Sequence, residues 1–202
     1  MALDPDERRL ELIHPTPPPE RRQVAPSQII GTGVFILTEL MFFAGLISAF
    51  SISKAGAAGG IWPPPGQPRL PAEATLINTV ALLASGALLL YAGRLFKDQP
   101  ARARWPYLAS VLLGVFFVAF QGFEWVSLLS QGLTMTSSTY GSFFYVIVGA
   151  HGLHALGGLL VLGYVYRLYL ADSLSKHTLT AMQMYWSFVV ILWPILYALV
   201  YL

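Results

Sequence analysis

The sequence predicts an all-α membrane protein, a bundle of five transmembrane helices with a cytoplasmic N-terminus. Three observations carry that prediction. Of 202 residues, 55% are hydrophobic and only 11% are charged, against about 25% charged in soluble domains. The charges crowd into the first 22 positions and a few short gaps, leaving long apolar runs between them. Five of those runs reach the roughly 20 residues a helix needs to cross the hydrocarbon core.

The elements follow in order. Residues 1–26 are polar and proline-rich, with Pro15, Pro17, Pro18 and Pro19 close together and charges of both signs. They form no signal or transit peptide, having no apolar core and too many acids. They are expected to be a flexible cytoplasmic tail, leaving 27–202 as one transmembrane domain whose first helix serves as an uncleaved targeting signal. The spans are expected at 28–52, 74–96, 105–129, 141–166 and 179–201. Their length and continuity rule out barrel strands, and inside a bilayer only helices or closed barrels satisfy the backbone. The connection between the first two spans holds Gly59, Gly60, Trp62, Pro63, Pro64 and Pro65. It should break any helix and set the Trp62 indole near headgroup depth. Pro194 is expected to kink the last helix.

Basic residues set the orientation. Arg8, Arg9, Arg21 and Arg22 lie in the tail. Arg94, Lys97, Arg102 and Arg104 lie between the second and third spans, and Arg167 and Lys176 between the fourth and fifth. Only Lys54 and Arg69 fall on the other side. Lysine and arginine stay cytoplasmic, so the N-terminus is expected inside and Leu202 outside. A net charge of +2 points to no nucleic-acid partner. The absence of cysteine excludes disulfides, thiolate catalysis and thiolate-bound metals.

Four ionisable residues fall inside spans, where each costs about 3 kcal/mol or more and needs a reason. They are Glu39 in the first helix, Glu124 in the third, and His151 and His154 on one face of the fourth. At about 1.5 Å per residue, Glu124 lies roughly 8 Å and His151 roughly 15 Å from the outer ends of their helices. Depth counting therefore expects Glu124 and His151 to meet, directly or through one water. Small residues following the histidine face, Ala155 and Gly158, permit close packing there. The simplest role is helix packing, since a Glu–His pair can share one proton and avoid full ionisation. A proton-conducting role for Glu39 or Glu124 is the alternative. A metal site is not expected, because di-metal bundles use Glu-x-x-His on each of two helices and here the motif is His-x-x-His with isolated glutamates. With Lys and Arg only at the ends of the spans, Glu39 is expected to be hydrogen-bonded as a neutral acid. The aromatics of the last helix (Tyr185, Trp186, Phe188, Trp193, Tyr197 and Tyr201) are expected to pack and to anchor at the interface. Arg167 is a candidate lipid-phosphate anchor, able to snorkel to headgroup depth.

Several stretches, in order and spacing, resemble subunit III of the haem-copper respiratory oxidases. They are Glu39-Leu40-Met41-Phe42-Phe43, Trp62-Pro63-Pro64, Asn78-Thr79 with Leu82-Leu83-Ala84-Ser85-Gly86, and Gln121 with Glu124-Trp125. Tyr140-Gly141-Ser142-Phe143-Phe144, His151-Gly152-Leu153-His154 and Tyr185-Trp186 with Phe188-Val189, Trp193, Tyr197 and Tyr201 complete the set. The resemblance runs from about residue 28 to the end. It implies a five-helix bacterial form equivalent to the last five helices of a seven-helix version, set in the inner membrane. It implies no catalytic site and no cofactor in this chain, with haem and copper in partner subunits. It further implies packing against subunit I, contact with subunit II through the complex, phospholipid in a cleft, and support of proton uptake. Glu39 matches a signature carboxyl of the family. The Trp-Pro-Pro loop and the Asn-Thr pair look more like cytochrome c oxidases than quinol oxidases. One departure stands out: the family's Trp-His-Phe-Val-Asp reads Trp186-Ser187-Phe188-Val189-Val190 here, so the role of that polar pair cannot be carried over. An accessory subunit of a nitric oxide reductase or a quinol oxidase remains a rival, as does an independent transporter.

Overall fold

The computed structural model describes residues 26–57 and 61–202. The tail expected over 1–26 lies, Pro26 apart, outside the described residues, as do Gly59 and Gly60. Five helices carry the chain: α1 (Ser27–Ala55), α2 (Ala72–Asp98), α3 (Pro100–Ser130), α4 (Thr139–Leu170) and α5 (Lys176–Val200). All five are long and apolar enough to cross a membrane, and among the described residues there is no strand. Each overlaps its expected span, but α3 begins at Pro100 and α4 runs to Leu170, several residues beyond the apolar runs. Hydropathy marks the hydrocarbon slab, whereas a helix continues until something stops it.

The stops are local. Pro100 opens α3 at a position where its missing N–H costs nothing. Gly132, at φ +89°, closes α3: Leu133 N donates to Leu128 O, a left-handed cap that glycine adopts without strain. Ser138 and Ser175 start α4 and α5, their hydroxyl oxygens accepting from Gly141 N and Thr178 N at 3.1 and 3.0 Å. Pro194 lies inside α5, which runs helical through it to Val200.

α2 and α3 are joined through Gln99 alone and form the closest pair; α5 packs on α1, α2 and α4, and α1 rests chiefly on α5. Small residues let the helices approach. Ser85 and Ser110 each donate to the other's carbonyl at 2.7 Å, and both are fully buried. Trp186 of α5 fills the gap this leaves. A Cβ on Gly114 or Gly158 would come within 2.9 Å of its ring. The expectation of close packing at Ala155 and Gly158 is met there, with Ala155 fully buried. Val190 packs its methyls against Gly86. Trp62 packs edge-on against Phe50 and Tyr140, tying the α1–α2 connection to the bundle end that also carries Leu202.

Candidate functional site

The polar residues inside the bundle fall into three groups. The first is a network at the Leu202 end. The Thr75 hydroxyl lies 2.9 and 3.0 Å from the two Glu124 carboxyl oxygens. Gln121 Nε2 donates to Glu124 at 3.1 Å and to the Tyr201 hydroxyl at 3.0 Å. Thr79 donates to Thr75 O and accepts from the Trp193 indole N–H at 2.9 Å. The Glu124 carboxyl is thus enclosed by α2, α3 and the end of α5. Asn78, one turn from Thr75, donates to Phe117 O at 3.2 Å, pinning α2 to α3.

The second group is a pair. His154 Nε2 lies 2.9 Å from Glu39 Oε2, with side-chain exposures of 18% and 17%. His154 Nδ1 lies 2.7 Å from Ala150 O. A carbonyl oxygen only accepts, so Nδ1 carries a hydrogen. One further proton then lies between Nε2 and the carboxyl. On either side of that bond the pair as a whole carries no net charge, which makes it tolerable at membrane depth. Its α4 half is braced by Tyr185, whose hydroxyl donates to His154 O at 3.0 Å, and by the Phe43 ring edge.

The third group is His151 alone. It is fully buried, stacked on Trp193 at 4.9 Å and edged by Phe117 and Phe43. Neither ring nitrogen has a partner, at a cost of about 1–3 kcal/mol for each unmet polar group.

The expected direct contact between Glu124 and His151 is therefore corrected. No hydrogen bond joins Glu124 to His151, although both lie in the same half of the bundle. Glu124 turns to α2, and the imidazole that meets a carboxyl is His154, with Glu39 as its partner. Two histidines three positions apart point about 60° from each other around a helix, enough to send one into the aromatic cage and the other toward α1. Among the described residues no three His, Asp or Glu side chains are gathered around a common point. Arg167 stands exposed on the last turn of α4. At the same end of the bundle, Arg94, Lys97 and Lys176 line a shallow cavity between α2 and α5.

Thr75, Asn78 and Thr79 stand at the i, i+3, i+4 spacing of one helical face, a pattern from which the polar seam that holds Glu124 could have been read. The caging of His151 and the reciprocal Ser85–Ser110 bond had no comparable signal. The aromatics of α5 do more than anchor: Trp186 donates to Ser85 Oγ at 3.1 Å and Tyr197 to Ala72 O at 2.9 Å. Every polar residue just described falls inside residues 21–202, which match the family model for cytochrome c oxidase subunit III.

The chain belongs to the cytochrome c oxidase subunit III family. It is 39% identical over 188 residues to the probable cytochrome c oxidase subunit 3 of Mycobacterium tuberculosis, covering 85% of this chain and 86% of that protein. The corresponding Nocardia farcinica protein is 36% identical over 183 residues, again 85% and 86%. Cytochrome c oxidase subunit 3 of Triticum aestivum is 37% identical over 178 residues, covering 83% of this chain and 65% of the wheat protein. The chain is a subunit III of a haem-copper oxidase and a multi-pass membrane protein. Glu39, Glu124 and both spanning histidines are accordingly read as parts of an oxidase subunit.

Proposed function

We propose that this subunit III is a non-catalytic flank of a proton-pumping oxidase in a bacterial inner membrane. It packs against the haem-copper subunit I, reaches subunit II through the complex, and holds phospholipid in its grooves. The observation that carries this reading is α1. Of its 29 residues only Phe43 and Phe50 are buried, while Val34, Leu37 and Met41 stand 58%, 60% and 71% exposed. A helix so apolar and so little covered by its own chain calls for lipid or a larger subunit around it. The engagement of the histidines supports the absence of a redox role: both nitrogens of His154 are taken, and His151 is closed in by rings. Haem and copper belong to the partner subunits in this reading.

The cations support an orientation with Ser27 inside and Leu202 outside. Arg94, Lys97, Arg167 and Lys176 then form an inner rim suited to anionic headgroups. The test is to tag this chain and isolate it in mild detergent. Haem absorbance, oxygen consumption and phospholipid should co-elute with it in fixed proportion. A chain that elutes folded, alone and free of haem overturns the reading. A reporter fused after Leu202 should be active only outside the cytoplasm; activity inside would reverse the orientation.

A further inference from the structure

The cavity between α2 and α5 at the Lys176 end of the bundle differs from the apolar grooves elsewhere: it is lined by charge. Arg94 and Lys97 line it from α2, and Lys176, Thr180 and Gln183 from α5. The three cations and Thr180 are exposed, so an occupant reaches them directly. The lining includes no Asp or Glu, and among the described residues none of the three cations forms an ion pair. Lys176 is also the first residue of α5, a helix with no acid in its first turn. A cation there meets the positive end of the helix dipole and calls for an anion from elsewhere.

Gln183 narrows the choice of anion. Its Nε2 donates to Leu89 O at 2.8 Å; a carbonyl only accepts, so this contact fixes which way the amide points. Gly93 makes room for it, since a Cβ there would collide with the amide. The other amide atom, Oε1, has no partner and keeps open surface on a half-buried residue. A free acceptor beside three cations suits a ligand that carries both a negative charge and a hydroxyl. A zwitterionic headgroup would instead bring an ammonium against the cations. A soluble anion would leave the apolar side of the cavity, Phe96 and the 45% exposed Leu90, uncovered. The volume, about 280 Å³, suits a headgroup and the start of one chain. We infer that this cavity holds one acidic phospholipid with a hydroxylated headgroup. Its phosphodiester lies among Arg94, Lys97 and Lys176, its hydroxyl donates to Gln183 Oε1, and an acyl chain leaves past Leu90. Bound there, it bridges α2 and α5. The inference rests on the proposal that this chain holds phospholipid, and adds the place and the headgroup.

The complex is isolated in mild detergent as wild type, Arg94→Gln, Lys176→Gln, Gln183→Leu and Arg102→Gln. Each is delipidated and titrated with phosphatidylglycerol, phosphatidylcholine or phosphatidylethanol, the last having the same charge but no hydroxyl. Bound lipid is counted by native mass spectrometry, with subunit content read alongside. Arg94→Gln and Lys176→Gln should each weaken one phosphatidylglycerol site about fivefold. Arg102→Gln, which removes a cation outside the cavity, should bind as wild type does. Phosphatidylethanol should bind wild type about fivefold more weakly than phosphatidylglycerol, and Gln183→Leu should erase that preference. Phosphatidylcholine should not compete. The inference is overturned if Arg102→Gln loses as much as Lys176→Gln, since the cations would then act as a diffuse rim. It is equally overturned if wild type does not distinguish the two acidic lipids, or if millimolar inorganic phosphate displaces the lipid. Any of these in a complex that keeps its haem and phospholipid sinks this inference alone. A chain that elutes without either sinks the reading beneath it.

Discussion

Two carboxyls at membrane depth, Glu124 and Glu39, are handled by two different walls of the same bundle. Glu124 is enclosed where α2, α3 and α5 meet, 4% exposed, with Thr75 and Gln121 on its oxygens and Tyr201 behind them. Glu39 stands on the least covered helix and meets one partner, His154, across a gap that few other contacts bridge. The enclosed carboxyl is part of what makes α2 and α3 one unit. The flanking pair fastens a helix that this chain leaves mostly uncovered. A buried acid therefore does not imply one role; the number of helices that supply its partners decides it.

The largest expected effect is on the enclosed side. Glu124→Leu removes the shared acceptor and leaves one Gln121 amide hydrogen without a partner in a dry core, while the Thr75 hydroxyl falls back on Pro71 O at 2.9 Å, a loss of about 3 kcal/mol. The thermal midpoint of the isolated complex should fall and subunit III should be lost from it. Glu124→Gln, which keeps the shape and an acceptor, should lose far less. If Glu124→Leu assembled and melted like wild type, the network would not be structural and the contrast with Glu39 would collapse.

Glycines sharpen the contrast at a smaller scale. Gly158→Ala puts a Cβ 2.9 Å from the Trp186 ring, so overpacking should cost about 2 kcal/mol. Gly45→Ala on α1 meets nothing within 4 Å and should leave the thermal midpoint unchanged or raise it slightly, by up to about 1 kcal/mol of helix propensity. Equal effects at the two positions would mean that α1 is as tightly packed as the core.

The five spans were legible because bilayer thickness fixes the length of an apolar run, and that constraint acts on each helix separately. Which side chains meet was not. Depth gives one coordinate, the height in the slab. A contact also needs the rotation of each helix and the identity of its neighbour. Glu124 and His151 were read as lying at similar depth, yet α3 turns Glu124 toward Thr75 while α4 turns His151 into the rings of Trp193, Phe117 and Phe43. Glu39 was expected to be hydrogen-bonded as a neutral acid; the partner it meets is His154, which no spacing within α4 could have named. The replacement of the family's aspartate by Val190 was legible as a departure. Its consequence, a methyl contact on Gly86, required the crossing of α2 and α5.

The most direct test of the account is a double-mutant cycle across the Glu39–His154 pair, using Glu39→Ala, His154→Ala and the combination in the isolated complex. Subunit III retention and the thermal midpoint are read in parallel. Since each side chain serves the other across a single shared proton, the account predicts strong coupling. Each single variant should lose about 1–2 kcal/mol, and the combination should lose little more than either one. Losses that simply add would show two residues acting independently, and would contradict the view that this one bond fastens α1 to α4.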